Sequence, residues 1–144
     1  MKAYVTLAAL LLGTAALAHS GVTNPDVMNR MMGMSELAKQ MKVLGEMAKG
    51  QTDFDADAVN AALAKMSEEA SYIPSLFEIE APDPKSEALP GIWQNFDDFK
   101  GHASTLETVT ARLSGTVEEP GDLAPAMKEV GQVCSACHAD YRKK

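Results

Sequence analysis

Along residues 27–47 apolar side chains recur every three or four positions, at Val27, Met31, Met34, Leu37, Met41, Leu44 and Met47, with polar residues between them. That step is the period of an α-helix burying one face. Asn24-Pro25-Asp26 offers an N-cap, a proline at the first helical position, where the N–H goes unpaired anyway, and an acidic first turn; Gly50 offers the stop. A second segment starts between Asp53 and Asp57 and carries Val59, Leu63, Met66, Ala70 and Ile73 at the same step, with Pro74 expected to bend or end it. The third runs from Gly91 to Leu113 with Trp93, Phe96, Phe99, Leu106, Val109 and Leu113 on its apolar face, and Gly115 closes it. The fourth follows Pro120-Gly121-Asp122, with Asp122 as its expected cap, and passes through Met127, Val130, Cys134, Cys137 and Tyr141. Pro82, Pro84 and Pro90 crowd into a crossover loop between the second and third segments. No stretch alternates long enough to make a strand. The expected fold is all-α, an antiparallel four-helix bundle whose core can hold a cofactor between facing helices.

The first residues stand apart from this pattern. A single Lys2 precedes an apolar run over 3–17 that ends in Ala16-Leu17-Ala18, the layout of an export signal cleaved after a small residue. The run is too short for a permanent span. Two regions are therefore expected: a signal over 1–18 and a helical domain over 19–144, working in the periplasm with no membrane span in the mature protein. Hydrophobic residues make up 46% and charged residues 23% of the chain, ordinary for a packed domain. Its net charge of −7, or −8 once Lys2 leaves with the signal, sets the global field against a polyanion, so nucleic acid is excluded as a partner.

Candidate chemistry is concentrated in Cys134-Ser135-Ala136-Cys137-His138, which uses both cysteines of the chain. It is the attachment signature of a c-type haem. On a helix, positions three apart share a face, so both thiols can reach the two vinyl groups on one side of a porphyrin and form thioethers. The next residue, His138, can present an imidazole nitrogen to the iron, and His is the commonest proximal ligand. A thioredoxin-like dithiol needs a strand-to-helix junction, and no strand is expected. A structural zinc site needs four ligands, and beyond this motif only His19 and His102 remain. A disulfide between cysteines three apart would close a tiny loop and stabilise little. Paired carboxylates, a Ser/His/Asp set and a phosphate-cradling glycine loop are all missing from the sequence, so no enzyme activity is expected.

An exported helical chain with its single C-x-x-C-H near the C-terminus resembles the class II cytochromes c, the cytochrome c' and cytochrome c-556 group. The resemblance runs from Val27-Met28-Asn29-Arg30 through Gly91-Ile92-Trp93 to Cys137-His138-Ala139-Asp140-Tyr141-Arg142-Lys143-Lys144. It implies one covalent haem c, with Arg30 contacting a propionate and the residue four further on, Met34, facing the distal side of the iron. In the c-556 branch that residue is a coordinating Met, which implies a low-spin His138/Met34 iron suited to electron transfer with redox partner proteins. In the c' branch the sixth position stays open to small gases such as NO or CO, which is the alternative reading. Met31, one turn earlier on the same face, is the next choice of ligand. The resemblance also puts Arg142 near the proximal side and Glu87 beside the haem, and implies pairing as a homodimer through the first two helices.

Overall fold

The computed structural model describes residues 21–144, so the export signal expected over 1–18 and His19 lie outside the described residues. Within them the chain is helical: α1 (Pro25–Ala48), α2 (Ala56–Leu76), α3 (Gly91–Gln94), α4 (Phe96–Leu113) and α5 (Leu123–Tyr141), the last preceded by a 3-10 turn at Pro120–Asp122. One isolated antiparallel bridge, Ala88 with Arg142, is the only β-pairing among the described residues. α2 packs against α1 and α4, α4 against α5, and α1 against α5, which closes the four-helix bundle.

Local chemistry accounts for most of the boundaries. The Asn24 side chain accepts from the Asp26 and Val27 amides at 2.9 and 3.3 Å, and Asp55 accepts from Ala58 at 3.0 Å, so orphan N–H groups at both helix starts are satisfied. Gly50 and Gly115, just past α1 and α4, take φ of +67° and +87°, a conformation that costs other residues strain. Gly33 has a different task. A Cβ there would come within 3.0 Å of Leu76 Cδ1, so its bare backbone lets α1 approach the end of α2.

Three expectations are corrected. Of the two outcomes expected at Pro74, a bend or an end, it is the end that does not occur there: α2 continues to Leu76, since in the last turn the missing N–H forfeits only one intrahelical bond, and the Phe77 amide caps back onto the Pro74 carbonyl. The third segment is not continuous, because Asn95 leaves helical geometry at φ −129°, ψ 48° and separates α3 from α4. The break lets Trp93 donate its indole N–H to the Phe77 carbonyl at 2.7 Å while Phe99, on the next helix, stays buried in the core. Asp122 does not cap α5. Its backbone is already helical, and its carboxylate turns back to accept from Glu118 and Glu119, which holds it below the usual aspartate range.

The core is continuous across the bundle, with Leu44, Val59, Leu63, Met66, Ala70 and Val130 fully buried. Three of the seven expected α1 stripe positions, Val27, Leu37 and Leu44, are buried, whereas Met31, Met34, Met41 and Met47 are only half-buried. At Met31, Met34 and Met41 the reason is that the stripe borders a space between the helices.

Candidate functional site

That space is a cavity of about 510 Å³ between α1 and α5, walled on its other sides by α2, α4 and the crossover loop. Its size falls among cavities that enclose a cofactor-sized ligand, about 300–1,000 Å³. α1 lines it from Val27 to Met41, and Met34 lies at the middle of that stretch. α5 faces it with Val133, Cys134, Cys137, His138, Tyr141 and Arg142, and α2 adds Met66 and Ile73. All seven expected site residues, Arg30, Met34, Glu87, Cys134, Cys137, His138 and Arg142, line this one cavity, as does Met31.

Cys134 and Cys137 form no disulfide with each other and are half-buried. Burial pushes both up, Cys137 to about 11 with help from Cys134, Asp140 and Asp98, so both are protonated at neutral pH. Partial burial and the nearby Arg142 draw His138 below the ordinary imidazole range, with Glu87 pulling the other way. A neutral imidazole keeps a lone pair free for a metal.

Among the described residues Arg30 is the one buried cation, 3% exposed. Its Nε donates to the Leu76 carbonyl at 2.7 Å and one terminal nitrogen to the Ile79 carbonyl. The guanidinium lies over the rings of Phe77 and Trp93, 5.0 and 5.3 Å from their centroids. Burial lowers Arg30 from its ordinary value, and the charge on Asp26 opposes that shift with a smaller effect. Its other terminal nitrogen, NH1, is buried without a hydrogen-bond partner. An orphaned charged donor on an otherwise apolar wall fits a ligand that carries a carboxylate, as haem does on its propionates.

At the cavity rim Arg142 Nε donates to Glu87 Oε2 at 2.7 Å. The chain after α5 runs antiparallel to the crossover: Leu89 donates to the Tyr141 carbonyl at 3.0 Å and Lys143 to that of Glu87 at 2.8 Å. The basic tail is thus a seam along the rim. His102 also lines the cavity and escaped the sequence reading except as a spare metal ligand. Its signal was its place three residues after Phe99, on the edge of the α4 core stripe.

The residues present therefore fit a haem: two thiols three apart on one helix face, an adjacent neutral imidazole, a thioether opposite and an unpaired guanidinium nitrogen. Among the described residues no helix is long and apolar enough to cross a membrane.

Comparison with known proteins agrees. A family model described as cytochrome c' matches residues 26–142. Cytochrome c-556 of Agrobacterium fabrum is 36% identical over 145 residues, covering 100% of this chain and 98% of its own. The structure of oxidized cytochrome c556 from Rhodopseudomonas palustris superimposes with a TM-score of 0.76 at 28% identity, covering 85% of this chain and 98% of that one. Cytochrome c' from the same organism gives 0.78 at 24% identity with the same coverage, which speaks to the fold. The two cysteines make a single C-x-x-C-H site, and the cofactor is covalently attached haem c. The chain belongs to the class II cytochromes c, the cytochrome c' family, whose members carry electrons or bind small gases.

Proposed function

We propose that this chain is a single-electron carrier of the c-556 type, exported by its first 18 residues and working in the periplasm as the domain over 19–144. Cys134 and Cys137 hold the haem through thioethers, His138 is the proximal ligand, Met34 the distal one, and Arg30 NH1 meets a propionate. Haem supplies one-electron ferric/ferrous chemistry; the protein orients it, keeps water away and sets its potential. One observation carries the choice of Met34: it stands at the centre of the α1 stretch that lines the cavity, across from the α5 motif, whereas Met31 lies a turn from the centre. Thioether ligation raises the potential and closes the position a gas would take, which suits transfer to and from redox partner proteins rather than catalysis. Arg142 and Glu87 sit at the rim as haem neighbours, and a homodimer through α1 and α2 is compatible with Met32 and Tyr72, which are 56% and 51% exposed on those helices.

The second reading, a gas-binding cytochrome with an open or labile sixth position, draws on the similarity to cytochrome c' of R. palustris. Absorption spectra separate the two. The carrier reading expects a low-spin ferric spectrum with a methionine-to-iron charge-transfer band and poor carbon monoxide uptake when reduced. Met34→Ala should turn the spectrum high-spin and lower the potential, while Met31→Ala should leave both in place. A high-spin wild type that binds carbon monoxide readily would overturn the carrier reading.

A further inference from the structure

One titratable group on the cavity wall takes no part in holding the haem. His102 of α4 has its Nε2 3.7 Å from Asp98 Oδ2, one turn earlier, and the same carboxylate oxygen accepts the Tyr141 hydroxyl of α5 at 2.5 Å. The imidazole also meets the Tyr141 ring edge-on, with centroids 5.9 Å apart and planes at 76°. Its place is thus set from two helices. The ring borders the cavity, yet the side chain is 24% exposed and Asp98 67%, so protons from solvent reach the pair directly.

We propose that His102 is a redox-linked proton site: its imidazole takes up a proton when the haem gains an electron and gives it back when the electron leaves. The electron comes from a one-electron donor protein and reduces ferric to ferrous iron. The proton comes from water to the ring nitrogen that does not face Asp98. No other bond forms or breaks, and the total charge of haem plus His102 is the same before and after. The ferric centre carries one more positive charge than the ferrous one. Across an apolar wall that charge is weakly screened, so a second positive charge on His102 is disfavoured until the iron is reduced.

Other charged and titratable groups surround His102. On its own helix Asp98 is the facing carboxylate, and Lys100 is taken by Asp97 at 2.7 Å. From α5, Tyr141 is pushed up to about 12 by its bond to Asp98 and stays neutral, Cys137 is consumed as a thioether, and His138 is taken up as the proximal ligand. Arg142 and Glu87 offset each other as an ion pair, and Arg30 of α1 and Lys85 of the crossover are the other basic residues of the cavity lining. The α2 wall contributes only Met66 and Ile73.

By reciprocity, proton binding that depends on the electron requires a potential that depends on the proton. The test is the midpoint potential of the holoprotein from about pH 5 to about pH 8, the range of an ordinary imidazole. Wild type should show a fall that corresponds to a threefold or greater difference in His102 proton affinity, about 30 mV at about 59 mV per tenfold. His102→Gln should lack this step, and Asp98→Asn should move it to lower pH. NMR titration of the His102 ring in the oxidised and reduced wild type gives a second readout that needs no variant to fold. Identical potential profiles in wild type and His102→Gln, or one His102 ionisation in both oxidation states, would overturn the proposal. The inference rests on the haem but not on Met34: a high-spin spectrum with a His102-dependent step sinks only the carrier reading, and a low-spin one without the step sinks only this.

Discussion

Arg30 of α1 donates its Nε–H to the carbonyl of Leu76, in the last turn of α2, at 2.7 Å, and so caps a helix that has no basic residue of its own there. A second nitrogen does the same for Ile79, in the chain just beyond. The residue that the family resemblance assigns to a propionate is thus also a splice between two helices. This double duty explains why the guanidinium is buried and stacked on Phe77 and Trp93.

Arg30→Lys keeps the charge but loses the planar fork, since one ammonium cannot reach both carbonyls and stack on two rings. Charge-assisted hydrogen bonds of this kind contribute about 1.5–3 kcal/mol each. The ferric holoprotein should lose about 2 kcal/mol of stability in urea titration while retaining its haem through the thioethers. A loss below about 0.5 kcal/mol would show that the splice is energetically idle.

Asp83 anchors the start of the crossover in a different way. Its carboxylate accepts from the Thr23 and Asn24 amides at 2.9 and 3.1 Å and from Lys85 at 2.8 Å, which holds it below the usual aspartate range. A depressed native value means the stability is fully present above the unfolded-state pKa, about 3.9, and is lost as pH falls through the lower native value. Asp83→Asn should melt at a lower temperature than wild type at pH 7, and the gap should close on acidification below about pH 4. A constant gap across that window would mean that Asp83 acts through packing and not through its charge.

The sequence carried the helices and the haem motif because both are written in local spacing. Period-3.6 stripes from Val27 to Met47 and from Val59 to Ile73 place helix faces, and Cys134, Cys137 and His138 lie within five residues of one another. What spacing could not convey is which part of a face meets empty volume. Met31, Met34 and Met41 obey the same period as Leu37 and Leu44, yet only the leucines finish buried. The break at Asn95 was hidden for a related reason. The aromatic residues on either side continue a helical pattern, and only the tertiary bond from Trp93 to Phe77 decides that the backbone must turn there. Asp98 lies one turn before His102 on α4, but the contact that sets the pair beside the cavity comes from Tyr141 on α5, which spacing along α4 cannot show.

Leu63 gives a means of separating bundle stability from the haem site. It is 0% exposed in the core but does not line the cavity, whereas Met66, one turn later and equally buried, does. Leu63→Ala should cost about 2–5 kcal/mol in denaturant unfolding, the range for truncating a buried leucine, and leave the visible spectrum and potential unchanged. Met66→Ala should cost a similar amount but also disturb the spectrum, because it enlarges the haem cavity. Equal spectral changes in both variants would mean that the bundle relaxes as a unit around the haem.

The rim seam poses a question of magnitude. Glu87 and Arg142 are 58% and 53% exposed at their side chains, and an exposed ion pair contributes about 0–1 kcal/mol, less in salt. The backbone bonds between Leu89 and Tyr141 and between Lys143 and Glu87, together with Lys143 Nζ on the Ser86 carbonyl at 2.7 Å, are the stronger hold. Glu87→Gln should therefore lower stability by less than about 1 kcal/mol, and the Leu89 and Lys143 amides should keep most of their protection from hydrogen exchange. Ending the chain at Tyr141 removes the Lys143 bonds as well as the ion pair. The crossover amides should then exchange markedly faster, and the ferric haem edge should become more accessible to a small anionic reductant. If Glu87→Gln alone reproduces that loss of protection, the ion pair and not the backbone seam is what holds the rim closed.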